Sequence, residues 1–310
     1  MNSQQLDDIF RQEILPLLQA KASPSKRPCT IFLGGQPGAG KTRAQMRAMS
    51  LYEDESRLLP IVGDDFRQYH PDYQRLINEE PTHMPDATAS AAGYWTGKAV
   101  KWADDNNISC IIEGTWRNST TVLDEAKNAK QLNRATHAII VAVPPVLSRL
   151  GILERYYLDL QREKAARWTP PFAHETTVAK LRQNIPAVSE SRLMDRLTVT
   201  NRNGETLYDG TNAGRFVNAW NAGFSRQLTE AERAFAQKRI EILKNLIQQY
   251  TPNNTEIRDM LASVEQESQM NPQAPATTSV HSAGSGRGGC VYVSAHTRNG
   301  YPVQGYWRSH

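Results

Sequence analysis

Cysteine is scarce: Cys29, Cys110 and Cys290 are the only three in 310 residues. Their number is odd, their spacing suits no metal, and two of them sit in apolar runs, so neither a disulfide framework nor a structural zinc site is expected. No apolar run approaches the ~20 residues of a membrane span. No block of Lys and Arg stands out either, because the net charge of +4 is spread along the chain. Specific nucleic-acid binding is therefore not expected, and anionic small molecules suit the charge equally well. The first 20 residues lack the long apolar stretch of a signal peptide; Leu6, Ile9, Phe10, Ile14, Leu17 and Leu18 are interrupted by charges, as in an amphipathic helix. The expectation is a cytoplasmic protein without membrane attachment.

What is present is ordinary globular material, 39% apolar and 22% charged, in a chain long enough for one large α/β domain with additions. Pro, Gly and Ser clusters divide it into an N-terminal helix over 1–24, a main domain over 25–270, a flexible linker over 271–289 and a small repeated β-hairpin over 290–310. Within the main domain, apolar runs at 29–33, 60–62, 108–112 and 138–143 alternate with helical stretches. That rhythm predicts a parallel sheet flanked by helices, with ligands beyond the carboxyl ends of its strands. Residues 197–208 read as a hairpin turning tightly at Asn203-Gly204 and extending the sheet edge. Residues 229–250 and 254–269 read as two C-terminal helices, the first with a cap-like start. In the tail, the segment from Val293 to Arg298 is echoed from Val303 to Arg308 about Asn299-Gly300, a second hairpin signal.

The apolar run ending at Leu33 is followed by Gly35-Gln36-Pro37-Gly38-Ala39-Gly40-Lys41-Thr42 and then a helix-like stretch. This is a phosphate-binding loop in its required strand–loop–helix setting. Glycines let backbone N–H groups converge on phosphate oxygens, the helix adds its positive end, Lys41 brings a mobile cation, and Thr42 offers a hydroxyl to magnesium.

Chemically rich residues follow the other strands too. Asp64, past the second run, is placed to accept a proton from an attacking hydroxyl, or else Asp64 or Asp65 caps the next helix. Glu113 ends the third run and is followed by Thr115 and Arg117; the group can hold magnesium through water, bind sugar hydroxyls or meet a phosphate-bearing acceptor, or form only a surface turn with a salt bridge. Arg155 and Arg167, on and after the next helix, either reach back over the phosphates or solvate a helix face.

Taken together, Gly35 to Thr42, Gly63-Asp-Asp-Phe-Arg with His70-Pro71, Ile112-Glu-Gly-Thr with Arg117, Val141-Ala-Val-Pro-Pro145, Glu154-Arg-Tyr156, and Arg167 with Thr169-Pro170 and Ala173-His174 resemble, in order and spacing, the motif series of the zeta toxin family over residues 28–210. The resemblance implies a P-loop NTPase/kinase-like fold and an ATP-dependent and magnesium-dependent phosphotransferase, with ATP and GTP not distinguished. The implied substrate is UDP-N-acetylglucosamine or a related UDP-amino sugar, phosphorylated on a sugar hydroxyl so that cell-wall synthesis is blocked. By resemblance Asp64 is the base, Lys41 and Thr42 contact phosphate and magnesium, Glu113, Thr115 and Arg117 contact the sugar nucleotide together with Asp64, and Arg155 and Arg167 stabilise the transition state. It also implies a small antitoxin as partner, with the N-terminal helix as a candidate for self-inhibition. Two features depart from the family: Gly97 stands where some members carry an acidic substrate contact, and the segment after Asn271 lies outside the family core. A kinase of another hydroxyl (a dinucleotide ribose, an antibiotic, a polynucleotide end) and a nucleotide-dependent binding module are the alternatives.

Overall fold

The structure, a computed structural model, describes residues 1–52, 57–81, 83–162 and 165–269, and the backbone of four short strands between 290 and 309. Helix α1 (Ser3–Ile9) opens on a capping box between Asn2 and Gln5 and runs through one π turn (Phe10–Ile14) into α2 (Leu15–Lys21). Pro16 explains that turn. It has no N–H for the carbonyl four residues back, so the helix widens locally and Leu15 N–H reaches Phe10 O.

Strand β1 (Cys29–Gly34) leads into α3 (Lys41–Leu51), then β2 (Leu59–Val62), a 3-10 segment (Gly63–Tyr69), α4 (Tyr73–Glu79), α5 (Met84–Ala87) and α6 (Ala89–Asp105). The alternation continues with β3 (Cys110–Glu113), α7 (Ser119–Gln131), β4 (Ala135–Val141), α8 (Pro145–Gln161) and α9 (Pro171–Glu190). A hairpin of β5 (Arg196–Thr200) and β6 (Thr206–Gly210) precedes α10 (Ala213–Ser225), α11 (Glu230–Tyr250) and α12 (Thr255–Gln269).

The sheet runs β2-β3-β1-β4-β5-β6, with β6 antiparallel at one edge and the other five strands parallel. The chain leaves β1 past β3 towards β2, whereas it leaves β3 past β1 towards β4. Connections diverging in this way open a crevice beyond the carboxyl ends of β1 and β3, where open α/β sheets bind ligands. Period-two alternation divides the core between the two faces: Ile31, Leu33, Ile139 and Val141 pack with α3, α8, α11 and α12, and Phe32, Ala138 and Ile140 pack with α7, α9 and α10. Burial on both faces is why these strands read as unbroken apolar runs.

Two local readings are refined. The β5–β6 connection is a five-residue loop (201–205), not a two-residue turn, because Asn201 Oδ1 accepts the N–H groups of Asn203 and Glu205 and holds a wider loop, with Gly204 at φ +83°. The cap-like start of α11 is a full capping box between Thr229 and Glu232.

The chain divides into two compact units, Met1–Met270 and Asn271–His310. In the second, β8 (His296–Arg298) and β9 (Tyr301–Val303) pair antiparallel, while the turn read at Asn299-Gly300 lies outside the described residues. An additional antiparallel pair joins β7 (Cys290–Val293) to β10 (Tyr306–Ser309). The linker expected over 271–289 lies outside the described residues. Among the described residues, no helix is long and apolar enough to cross a membrane.

Candidate active site

The loop of residues 35–40 carries β1 into α3, whose first residue is Lys41. Its curl depends on glycine: Gly38 has φ +74°, and a Cβ there would lie 2.0 Å from Ser148 O on α8, so loop and helix backbones touch directly. Lys41 Nζ donates to Gly35 O at 3.1 Å and Gln36 O at 3.4 Å, and it stands 3.7 Å from Glu113 Oε1. Register accounts for that neighbour, because Leu33 of β1 pairs with Glu113 of β3. Burial holds the Lys41 amine below the ordinary lysine value, with Glu113 opposing and Arg155 reinforcing the shift. Thr42 is exposed in the first turn of α3.

Asp64 lies in the first turn of the 3-10 segment after β2 and caps no helix; its carboxylate accepts Arg67 Nε at 2.8 Å. The guanidinium of Arg67 is pinned in turn, with Nη1 donating to Pro85 O at 2.5 Å and to the buried Thr88 hydroxyl at 2.8 Å. Burial pushes the Asp64 carboxyl up, but Arg67 at hydrogen-bond distance, with Arg167 and Arg155 beyond it, outweighs burial and holds the group below the ordinary aspartate value. Neighbouring Asp65 goes the other way, raised by its burial and by the charge of Asp64.

Arg167 Nη1 donates to Asp64 O at 2.9 Å, and its Nη2 lies 4.0 Å from Asp65. Arg155 Nη2 donates to Thr169 Oγ1 at 3.0 Å, while its buried Nε has no protein partner. Burial and the charge of Arg167 both depress the Arg155 value. Lys41, Glu113, Asp64, Arg155 and Arg167 thus act on one another in one cleft. Three cations against two carboxylates, one cation with an unpaired buried N–H, is an arrangement suited to a polyanion.

The turn after β3 is held from behind. Trp116 adopts a left-handed conformation (φ +54°), and its buried ring covers Gly34 so closely that a Cβ there would lie 2.4 Å from it. Asn184 of α9 donates to Trp116 O at 2.8 Å and Arg117 O at 2.9 Å. Thr115 Oγ1 accepts the Arg117 N–H at 3.4 Å, and the Arg117 side chain is exposed. Gly97 lies on α6, where an added Cβ would meet nothing within 4 Å.

Sequence reasoning did not single out Arg67 or Asn184. Arg67 had a signal, three residues after Asp64 on a helical turn. Asn184 had none, because its partners are 67 and 68 residues away. The N-terminal helix also finds its place here: Phe10, Ile14 and Leu18 share a cluster with Leu59, Ile61, Phe66 and Trp95, and so pack behind the segment bearing Asp64. Trp95 Nε1 donates to Leu6 O at 2.9 Å, and Asp7 takes Tyr94 and Lys98 at 2.8 Å each.

The zeta toxin family model matches residues 16–213, well over half of the chain. Toxin zeta of Streptococcus pyogenes is 28% identical over 207 residues, which cover 66% of this chain and 70% of that protein. Toxin PezT of Streptococcus pneumoniae is 31% identical over 186 residues, covering 60% and 73%. Among solved structures, one of the PezAT chromosomal toxin–antitoxin system of S. pneumoniae aligns with TM-score 0.67 at 24% identity, over 80% of this chain and 98% of that one. The AvrRxo1-ORF1:ORF2 complex with ATP aligns with TM-score 0.52 at 13% identity, over 85% and 87%; at such identities the two structures speak for the fold alone. The chain belongs to the zeta toxin family of P-loop, kinase-like toxins.

Proposed function

We propose that the protein is an ATP-dependent kinase that phosphorylates a sugar hydroxyl of UDP-N-acetylglucosamine or a related UDP-amino sugar, and that it acts as a toxin blocking cell-wall synthesis. The observation that carries this reading is the convergence of a low-pKa carboxylate, Asp64, with Lys41, Arg155 and Arg167 at the crevice between β1 and β3. Asp64 is ionised at neutral pH and takes the proton of the acceptor hydroxyl. The acceptor oxygen then bonds to the γ-phosphorus as the bond to the β-phosphate oxygen breaks. Lys41 with the loop amides holds the phosphates, and Arg155 and Arg167 neutralise charge on the migrating group. Glu113, Thr115 and Arg117 face the sugar nucleotide. Among the described residues no group of three or more His, Cys, Asp or Glu could hold a metal by itself. The exposed Thr42 hydroxyl is a hard oxygen ligand that fits magnesium shared with nucleotide phosphates, and the bound ion would supply charge neutralisation there.

A second reading keeps the chemistry and changes the acceptor. Gly97, standing where some family members carry an acidic substrate contact, offers no side chain to an acceptor, and an added Cβ there would meet nothing within 4 Å. A small antitoxin obstructing the nucleotide site is the proposed restraint, in keeping with the toxin–antitoxin system named for the similar structure. Mass spectrometry of UDP-N-acetylglucosamine after incubation with the protein, ATP and magnesium, beside Lys41→Ala, tests the proposal. One added phosphate that depends on Lys41 is the expected result. ATP turnover without product would move the search to ribose, antibiotic and polynucleotide acceptors.

A further inference from the structure

Behind the phosphate loop, polar side chains form a row leading away from the cleft. Gln36, fully buried, donates from Nε2 to Val143 O at 2.9 Å and lies 3.4 Å from Ser148 Oγ. Ser148 Oγ stands 2.7 Å from His174 Nε2, and His174 Nδ1 stands 2.8 Å from Glu175 Oε1; Ser148 and His174 are wholly buried. Arg149 completes the row, donating to Glu175 at 2.8 Å and to Glu267 of α12 at 2.7 Å.

Proton bookkeeping gives the row a direction. Glu175 only accepts, so His174 Nδ1 carries the hydrogen, and burial keeps the ring neutral despite Glu175. Nε2 is then an acceptor, Ser148 donates to it, and the Ser148 oxygen is left to receive Gln36 N–H; Pro145 O, 2.9 Å away, is the alternative acceptor for the serine. Rotating the Gln36 amide would set its oxygen against Val143 O, so its orientation is fixed. The main-chain oxygen of the same residue holds Lys41 Nζ.

We propose that Ser148 and His174 are positioning residues for the phosphate loop, locking Gln36 and through it Lys41, and that the Arg149–Glu267 pair ties this lock to the last helix of the Met1–Met270 unit. The proposal rests on reading the loop as a nucleotide site. It makes α12 part of the device that shapes nucleotide binding, although Glu267 lies 226 positions after Lys41 in the sequence.

The test is calorimetric binding of a non-hydrolysable ATP analogue with magnesium to the full chain, Ser148→Ala, Gln36→Met, their double variant and Glu267→Gln, with the melting temperature of each measured with and without analogue. Ser148→Ala is expected to weaken binding about fivefold, the weight of one buried hydrogen bond, and to shrink the analogue-induced rise in melting temperature. The double variant should bind no more weakly than Gln36→Met alone, because both break one link. Glu267→Gln, at the half-exposed end, is expected to weaken binding about twofold. Wild-type affinity in Ser148→Ala, or losses that add in the double variant, would overturn the lock, and wild-type affinity in Glu267→Gln would overturn the tie to α12. A wild-type chain that binds no analogue would instead overturn the nucleotide-site reading, and the lock with it.

Discussion

The two halves of the cleft are built on different principles. On the phosphate side, one run of eight residues supplies nearly everything, and it is held by main-chain contacts: Gly38 against Ser148 O, Lys41 on the carbonyls of Gly35 and Gln36. On the acceptor side, Asp64, Arg67, Arg155 and Arg167 come from three stretches of chain and meet through side-chain ion pairs and hydrogen bonds. Preorganisation runs through the main chain in the first half and through side chains in the second. The acceptor side should therefore be the half that side-chain changes around Asp64 disturb, while nucleotide affinity answers to the row behind Gln36.

Removing residues 1–24 should break the contrast most severely. Phe10, Ile14 and Leu18 are buried behind the Asp64 segment, and at about 2 kcal/mol each their loss amounts to about 6 kcal/mol. That approaches the whole stability of a typical domain, so the truncated chain should melt far below the full one or fail to stay soluble, as a thermal melt would show. A truncated chain that melts normally and turns over faster would instead make this helix a self-inhibitory element.

Asp64→Asn comes next. It should lower turnover about a thousandfold while leaving the affinity for an ATP analogue nearly unchanged, since proton acceptance is lost and the phosphate side is not touched. Parallel loss of nucleotide affinity would mean that the two halves are not separable. Arg67→Gln sharpens the same division, with turnover falling about tenfold. The sign of its pH effect follows from the charges: Arg67 holds the Asp64 carboxyl down against burial, so without it the group protonates at higher pH and the acid limb of kcat/KM should move up. An unmoved limb would exclude Asp64 as the base.

The smallest effect is expected at Asn184→Ala, which leaves the Trp116 and Arg117 carbonyls without their donor. A destabilisation of about 1 kcal/mol and a rise of a few fold in acceptor KM, with ATP KM constant, are anticipated. A change in ATP KM instead would place the β3 turn on the phosphate side.

How far the sequence could be read follows the same division. The sheet, the loop and the capped α11 were legible because their signals are contiguous: apolar runs, a glycine spacing, a Thr-x-x-Glu box. The β5–β6 hairpin was legible as well, but Asn203-Gly204 sits within a wider loop than a tight turn because Asn201 Oδ1 accepts the N–H groups of Asn203 and Glu205. Asp64 could be named as base or cap, but only its pairing with Arg67 removes the cap. The lock behind Gln36 and the packing of the N-terminal helix were not legible, since both are contacts between residues tens of positions apart. Propensity and periodicity carry no record of such contacts.

The strand order also sets a timetable. β1 carries the phosphate loop, yet both of its sheet neighbours, β3 and β4, are encoded downstream of it, and Arg155 and Arg167 come later still. A chain emerging from the ribosome cannot pair the centre of its sheet until residue 141 is out, nor close the cleft until residue 167 follows. At synthesis rates of roughly 5–20 residues per second, the interval between Gly40 and Arg167 is on the order of ten seconds. Throughout it the chain has its phosphate loop but not the cleft proposed to act on the nucleotide. On that proposal a nascent chain gains no activity before residue 167 of 310 has emerged, just over half of its synthesis.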